Sequence, residues 1–199
     1  MGLPKATLPF GPELMLPRVV RLLSSVVSPI VVVAAPGQDL PPLPPGVILA
    51  RDEREGRGPL EGLLAGLTAI APRADAAYAT SCDVPLLVPG FVQEIIARLR
   101  EHDVAVPVEG EFHHPLAAAY RTSVVPVIQE LLAADRLRPV FLFDRVATCR
   151  VSVDRLRSID PQLDTLKNLN RPADYLAALA QAGFAADPAT LAALETPRT

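Results

Sequence analysis

ADAAYATSCDVPLLVPG, residues 74–90, is a short apolar run that stops at a serine, a cysteine and an aspartate before a Val-Pro turn. Its length and the helical spacing on either side read as a buried strand ending at Asp83 and turning into a helix over Gly90 to Glu101. Before it, GPLEGLLAGLTAIA (58–71) places proline at a helix start and apolar residues at helical spacing, which predicts a helix from about Pro59 to Ile70. A strand between two helices sets the theme for the rest of the chain.

Working outward, SPIVVVAAPG (28–37) is a continuous β-branched run that suits a strand buried on both faces. PPLPPG (41–46) is a stiff crossing into a second short strand, GVILARD (46–52). From Gly11 to Val27 the apolar residues recur at helical spacing, which predicts one amphipathic helix kinked or started near Pro17. Downstream, DVAVPV (103–108), FHHPLAAAY (112–120) and TCRVSV (148–153) have strand character, while VVPVIQELLAA (124–134) and RPADYLAALAQAG (171–183) read as helices. Strands separated by helices at this interval imply an α/β, three-layer α/β/α fold with a mostly parallel sheet. One domain over residues 1–199 is expected, with an Ala/Pro-rich tail from about residue 185 that is partly helical or frayed.

Composition narrows the function classes. Half of the 199 residues are apolar, enough for a sizeable core, and 22 prolines with 11 glycines stay below the roughly 25–30% of low-complexity chains. The net charge of −3 argues against nucleic acid as a partner, so an anionic substrate needs local positive groups or a metal ion. No apolar run approaches the roughly 18 residues of a membrane span, and residues 1–11, MGLPKATLPFG, lack a signal-peptide layout. A soluble, cytoplasmic protein with no membrane partner is expected, its two cysteines, Cys82 and Cys149, reduced and mostly buried. Only Lys5 and Lys167 are lysines among 19 basic side chains; a retained lysine marks either a need for a compact, mobile ammonium or two solvated positions.

In parallel α/β folds ligands bind beyond the carboxyl ends of the strands, which singles out particular side chains. Asp83 there can hold Mg²⁺ with open positions for water and phosphate oxygens; the alternative is a surface turn or capping aspartate. Asp52 can point into the same crevice, although RDEREGR (51–57) also reads as an ordinary charged loop. Gly58 permits close backbone approach, and the helix start it precedes favours an anion or a polar base edge. Asn168 and Asn170 lie two apart and face one side of an extended segment; Asn170 either caps the following helix or both caps it and meets a ligand. His113 and His114 face opposite ways on a strand, which speaks against zinc and leaves one of them free to face a ligand. No nucleophile–base pair for covalent catalysis is evident.

MGLPK (1–5), GPLEGLLAGL (58–67), SCDVPLL (81–87), HHPLAAAY (113–120) and NLNRPADY (168–175) occur in the order and approximate spacing of a known family. Together they resemble the molybdenum cofactor guanylyltransferases, within the nucleotidyltransferases of Rossmann-like fold, over residue 1 to about 180. The resemblance implies transfer of GMP from GTP to the phosphate of molybdopterin, giving the guanine dinucleotide cofactor and pyrophosphate; a relative using CTP or another phosphorylated acceptor is the alternative. It implies Asp83 as magnesium ligand and catalytic residue, and Lys5 as a catalytic group approaching the triphosphate. It also implies Asp52, Gly58, Pro59 and Leu60 as nucleotide contacts, with His114, Asn168 and Asn170 toward the acceptor. Transient contact with maturation proteins of molybdenum enzymes is a further implication. Two departures stand out. Ala34, Ala35 and Pro36 follow the VVV strand where the family often has asparagine, and the chain starts at the final Met-Gly of a Leu-Ala-Gly-Gly-x-Ser-x-Arg-Met-Gly loop. The resemblance therefore implies a sheet missing its first strand, with Met1 either internal to a longer reading frame or the start of a truncated, noncatalytic nucleotide- or pterin-binding form.

Overall fold

The computed structural model describes residues 4–52 and 58–195. Residues 1–3, the charged stretch 53–57 and residues 196–199, on which the readings of Met1, of RDEREGR and of the tail partly fall, lie outside the described residues. In chain order the elements are β1 (Pro9–Phe10), β2 (Glu13–Leu14), α1 (Met15–Ser24), β3 (Val31–Ala34), β4 (Ile48–Arg51), α2 (Pro59–Ile70), β5 (Ala76–Thr80) and α3 (Pro89–Leu99). They continue with β6 (Val104–Glu109), β7 (Phe112–His113), β8 (Ala117–Arg121), α4 (Val125–Ala133), α5 (Val140–Phe143), β9 (Thr148–Ser152), α6 (Val153–Leu156), α7 (Pro172–Gln181) and α8 (Pro188–Glu195).

Three layers form because side chains alternate across the strands. Val104, Val106, Ala118 and Tyr120 enter one core with Leu60, Leu63, Leu67 and Ile70 of α2 and Ile128 and Leu131 of α4. Their neighbours Ala105, Ala117 and Ala119 enter the opposite core with Phe91, Ile95 and Leu99 of α3 and Leu156 of α6. This period of two, met on each face by helices with one apolar stripe, is the α/β/α pattern expected. Phe91, Val92 and Ile95 are fully buried, each contributing roughly 1.5–3 kcal/mol of apolar transfer.

Where the spacing reads as mostly parallel, the ladders are mixed. β3 pairs with β4 and β6 with β9 in parallel, whereas β8 lies antiparallel between β5 and β6, and β7 folds back on β6. The residues joining β6, β7 and β8 are too few for a crossover, so the chain can only return as hairpins. Among the described residues β3 pairs only with β4 and β5 only with β8, leaving one edge of each without a strand partner.

Two helix and strand boundaries differ from the sequence reading. The helix expected from Gly11 begins at Met15, because residues 9–14 form a small hairpin with Gly11 at φ +66° and the Met15 amide donating to the Leu8 carbonyl. β5 ends at Thr80 rather than Asp83, so Ser81, Cys82 and Asp83 lie in the turn toward α3. The helix at Pro59–Ile70 is as expected: Gly58 at φ +75° turns the chain into it and Pro59 takes the first position. At Gly66 an added Cβ would come within 3.1 Å of Val33, so the missing side chain lets α2 lie close on β3. No described helix is long and apolar enough to cross a membrane.

Candidate nucleotide and metal site

Asp83 is held from three elements. Its main chain anchors the segment after residue 167, since the Leu169 amide donates to the Asp83 carbonyl at 3.0 Å. That segment is fixed in turn by Asp160, whose carboxylate accepts from the amides of Asp164 and Thr165, and by the Thr165 hydroxyl, which accepts from the Val88 amide. The extended stretch then turns Asn168 and Asn170 to one side, as their spacing requires. The Asn168 amide donates to Asp83 Oδ1 at 2.6 Å and to Ser81 Oγ at 2.8 Å. Ser81 Oγ donates to the same Oδ1 at 2.5 Å.

Lys5 completes the cluster from the first described turn. Its Nζ donates to Asp83 Oδ2 at 2.6 Å and to Asn170 Oδ1 at 2.7 Å. Asp83 is therefore not a surface carboxylate, being only 6% exposed. Burial pushes its carboxyl up, but the hydrogen bonds from Lys5, Ser81 and Asn168 and the Lys5 charge outweigh it and hold the group below the ordinary carboxylate range. Asn170 does not cap α7: Arg171 occupies that position, and Asp174 accepts from its amide at 3.0 Å. Lys167, by contrast, reaches only Asp164 at 2.7 Å on an exposed turn, which fits the solvated reading for that lysine.

Across the sheet, Asp52 follows β4, its amide donating to the Ala34 carbonyl at 3.1 Å. Its Oδ1 is buried without a hydrogen-bond partner among the described residues, and burial pushes its carboxyl up. Asp52, Gly58 and Pro59 line a cavity of about 640 Å³ whose other side includes Ser81 and Cys82. Leu60 is fully buried in the core on α2, so its backbone is what it can offer a ligand. His114 lies outside the Asp83 network: its Nε2 is buried without a partner among the described residues, its ring meets Phe112 edge to face at 4.8 Å, and burial pushes the imidazole down. His113 faces away from it toward Phe143 and Arg150, as adjacent strand residues must.

The structure thus brings Lys5, Asp83, Asn168 and Asn170 together and sets Asp52, Gly58 and Pro59 along one cavity. Sequence reasoning missed Ser81, Asp160 and Thr165. Ser81, two residues before Asp83, could have been found from spacing; Asp160 and Thr165 act through a fold-specific turn with no local signal. The Lys5 ammonium, 2.6 Å from a carboxylate oxygen and 2.7 Å from an amide oxygen, marks a cation-sized seat framed by hard oxygen donors, which fits a divalent metal ion.

A family model described as the MobA-like NTP transferase domain matches residues 1–149. The chain is 38% identical over 188 residues to a probable molybdenum cofactor guanylyltransferase of Mycobacterium avium, covering 92% of this chain and 89% of that one. It is 34% identical over 178 residues to a protein of the same name from Mycobacterium tuberculosis, covering 87% and 84%. Among solved structures, molybdopterin-guanine dinucleotide biosynthesis protein A of Archaeoglobus fulgidus shares the fold with a TM-score of 0.73 over 92% of each chain at 17% identity. Fold and matches together define a nucleotidyltransferase. More particularly, the chain belongs to the MobA-like NTP transferase domain family.

Proposed function

We propose that this chain transfers GMP from GTP to the phosphate of molybdopterin, with Mg²⁺ as the divalent ion. The observation that carries the reading is the seat between Asp83 Oδ2 and Asn170 Oδ1, occupied by the Lys5 ammonium. The names of the relatives support the choice of guanine and molybdopterin.

Asp83 and Asn170 would hold the ion, which when bound offsets negative charge on the α-phosphate. Since the Asp83 carboxyl lies below the ordinary range, it is ionised near neutral pH and needs no proton loss to take a cation. Lys5, displaced from its seat, pairs with the triphosphate as a mobile point charge. Asp52 presents a buried acceptor without a partner among the described residues, suited to a hydroxyl or N–H of the nucleoside. An oxygen of the acceptor phosphate bonds to the α-phosphorus, the bond from that phosphorus to the bridging oxygen breaks, and pyrophosphate leaves with the electron pair. The acceptor is already ionised near pH 7, so positioning and charge neutralisation suffice and no protein base is required. Asn168 orients Asp83; a role for His114 toward the acceptor rests on the resemblance alone.

Pyrophosphate release and nucleotide binding, with GTP or CTP, molybdopterin, and Mg²⁺ or chelator, test the reading. Mg²⁺-dependent binding of GTP and its conversion with molybdopterin are expected. Preference for CTP, or failure to bind GTP with the ion present, would overturn it.

A further inference from the structure

The two oxygens that frame the Lys5 ammonium come from segments far apart in the chain, Asp83 after β5 and Asn170 before α7. The gap between them therefore depends on how those segments are fastened together, and the turn from Asp83 into α3 is fastened at both ends. At its start the Asp83 carbonyl accepts from the Leu169 amide at 3.0 Å and its carboxylate from the Asn168 side chain at 2.6 Å. At its end the Val88 amide donates at 3.0 Å to the hydroxyl of Thr165, 77 residues away. Val88 is the residue that opens α3 and makes no side-chain capping bond of its own. Thr165 is only 1% exposed, so bulk water does not reach this bond to replace it.

Thr165 is itself placed by Asp160, which is equally buried. One Asp160 carboxylate oxygen accepts from the Asp164 amide at 2.8 Å and the other from the Thr165 amide at 2.9 Å. The Asp160 carbonyl takes the Leu163 amide at 2.9 Å, and Leu163 lies in left-handed backbone at φ +51°. A leucine keeps that conformation only where its surroundings fix it, which these bonds do. α3 meets the same stretch closely, since a Cβ at Gly90 would come within 3.1 Å of Ile159. Residues 159–169 thus form a bracket that carries Asn168 and grips the Asp83 turn at both of its ends. A lysine does not need so firm a frame, because its ammonium rides on a flexible stem and adapts to a range of gaps. A small divalent ion does: Mg²⁺ requires oxygens at about 2.0–2.1 Å in near-ideal octahedral order, while Ca²⁺ accepts about 2.3–2.6 Å in flexible geometry.

We infer that Thr165 is a positioning residue that sets which divalent ion the seat accepts: its bond to Val88 keeps Asp83 and Asn170 at the spacing of a Mg²⁺-sized ion and against a Ca²⁺-sized one. The inference rests on the reading of this seat as a metal site.

Mn²⁺ binding to the nucleotide-free chain, followed by electron paramagnetic resonance with Mg²⁺ or Ca²⁺ as competitor, tests this on the parent, Thr165→Val, Thr165→Ser and Ile128→Val. Thr165→Val keeps the side-chain shape and removes the acceptor, and is expected to weaken Mg²⁺ by roughly tenfold while changing Ca²⁺ far less. Thr165→Ala reads the same two ions should the valine not be accommodated. Thr165→Ser retains the hydroxyl and should keep the parent's preference for Mg²⁺. Ile128→Val, in the core on the opposite face of the sheet from Leu163 and Leu166, should lower stability in denaturant titration and alter neither ion. With no metal present, amide exchange at Leu169 should rise in Thr165→Val by roughly tenfold more than at Leu131 of α4, because the loosening is local. Unchanged Mg²⁺ binding in Thr165→Val, equal loss of Mg²⁺ and Ca²⁺, equal rises at Leu169 and Leu131, or the same ion shift in Ile128→Val each overturns the inference and leaves the metal reading standing. A parent chain that binds no Mn²⁺ overturns the metal reading itself, so the two failures are distinguishable.

Discussion

β5 and β3 both line the cavity of about 640 Å³, yet they belong to differently built halves. β5 is the edge of a five-stranded sheet whose inner strands, β6 and β8, are buried from both sides: Val104, Ala105, Val106, Ala118 and Tyr120 are fully enclosed. Among the described residues β3 has only β4 beside it, and β4 alternates half-buried and exposed residues, Leu49 being 47% exposed. The carboxylates at the two ends follow suit. Asp83, on the β5 side, receives three side-chain donors and is held low, while Asp52, on the β4 side, keeps a buried oxygen without a partner among the described residues and is pushed up. The contrast shows that helices on both faces do not by themselves make a complete sheet; each edge also needs a partner for its peptide groups.

The largest expected break is at the satisfied carboxylate. Asp83→Ala should lower turnover by about 10³-fold in a pyrophosphate-release assay. Because Asp83 is buried and bonded, the same change should also lower folding stability by roughly 1–3 kcal/mol in denaturant titration, as Lys5, Ser81 and Asn168 lose an acceptor. Unchanged turnover would remove Asp83 from the mechanism.

Next in size, Ile128→Ala in the core between α4 and the five-stranded sheet should cost about 2–5 kcal/mol. Val32→Ala on β3 should cost distinctly less, because the cavity beside it already deprives the strand of neighbours. Equal losses by chemical denaturation would abolish the distinction between the halves.

Lys5→Met should weaken GTP binding by roughly tenfold, the scale of one charge-assisted hydrogen bond, with a smaller effect on GMP. An unchanged dissociation constant for GTP in calorimetry would detach Lys5 from the triphosphate.

The smallest effect sharpens the contrast between the two aspartates. Burial raises the Asp52 carboxyl in the folded chain above its ordinary value of 3.8, so the folded state holds that proton more tightly than the unfolded state does. Its contribution is present below 3.8 and is lost as pH rises through the folded-state value. Asp52→Asn should therefore flatten this part of the stability profile and leave the nucleotide-free chain slightly more stable than the parent near pH 7. Parallel stability curves for the two proteins across that range would contradict the assignment.

Local chemistry made much of this molecule readable from its residues. The Gly58-Pro59 start of α2 follows from backbone restriction, and the strands at Val31–Ala34, Ile48–Arg51 and Val104–Glu109 follow from β-branched runs. Residues 9–14 misled because their apolar spacing continues that of α1, while the hairpin is stabilised by Leu8, Phe10 and Met15 packing with Tyr175 and Leu179 of α7, far along the chain. Asn168 and Asn170 could be placed on one side by spacing, but that Asn170 meets Lys5 instead of capping α7 depends on a contact spanning 165 residues.

The amino-acid sequence by itself determined the layered α/β architecture and singled out a small set of candidate polar side chains, because hydrophobic period and residue chemistry are local properties. Tertiary structure alone decided that Ser81 joins Asp83, that Lys5 fills a seat between two oxygens, and that β3 and β5 each keep one edge without a strand partner among the described residues. Those outcomes depend on hydrogen bonds and strand pairings between distant segments, and such pairings exist only once the whole chain has packed.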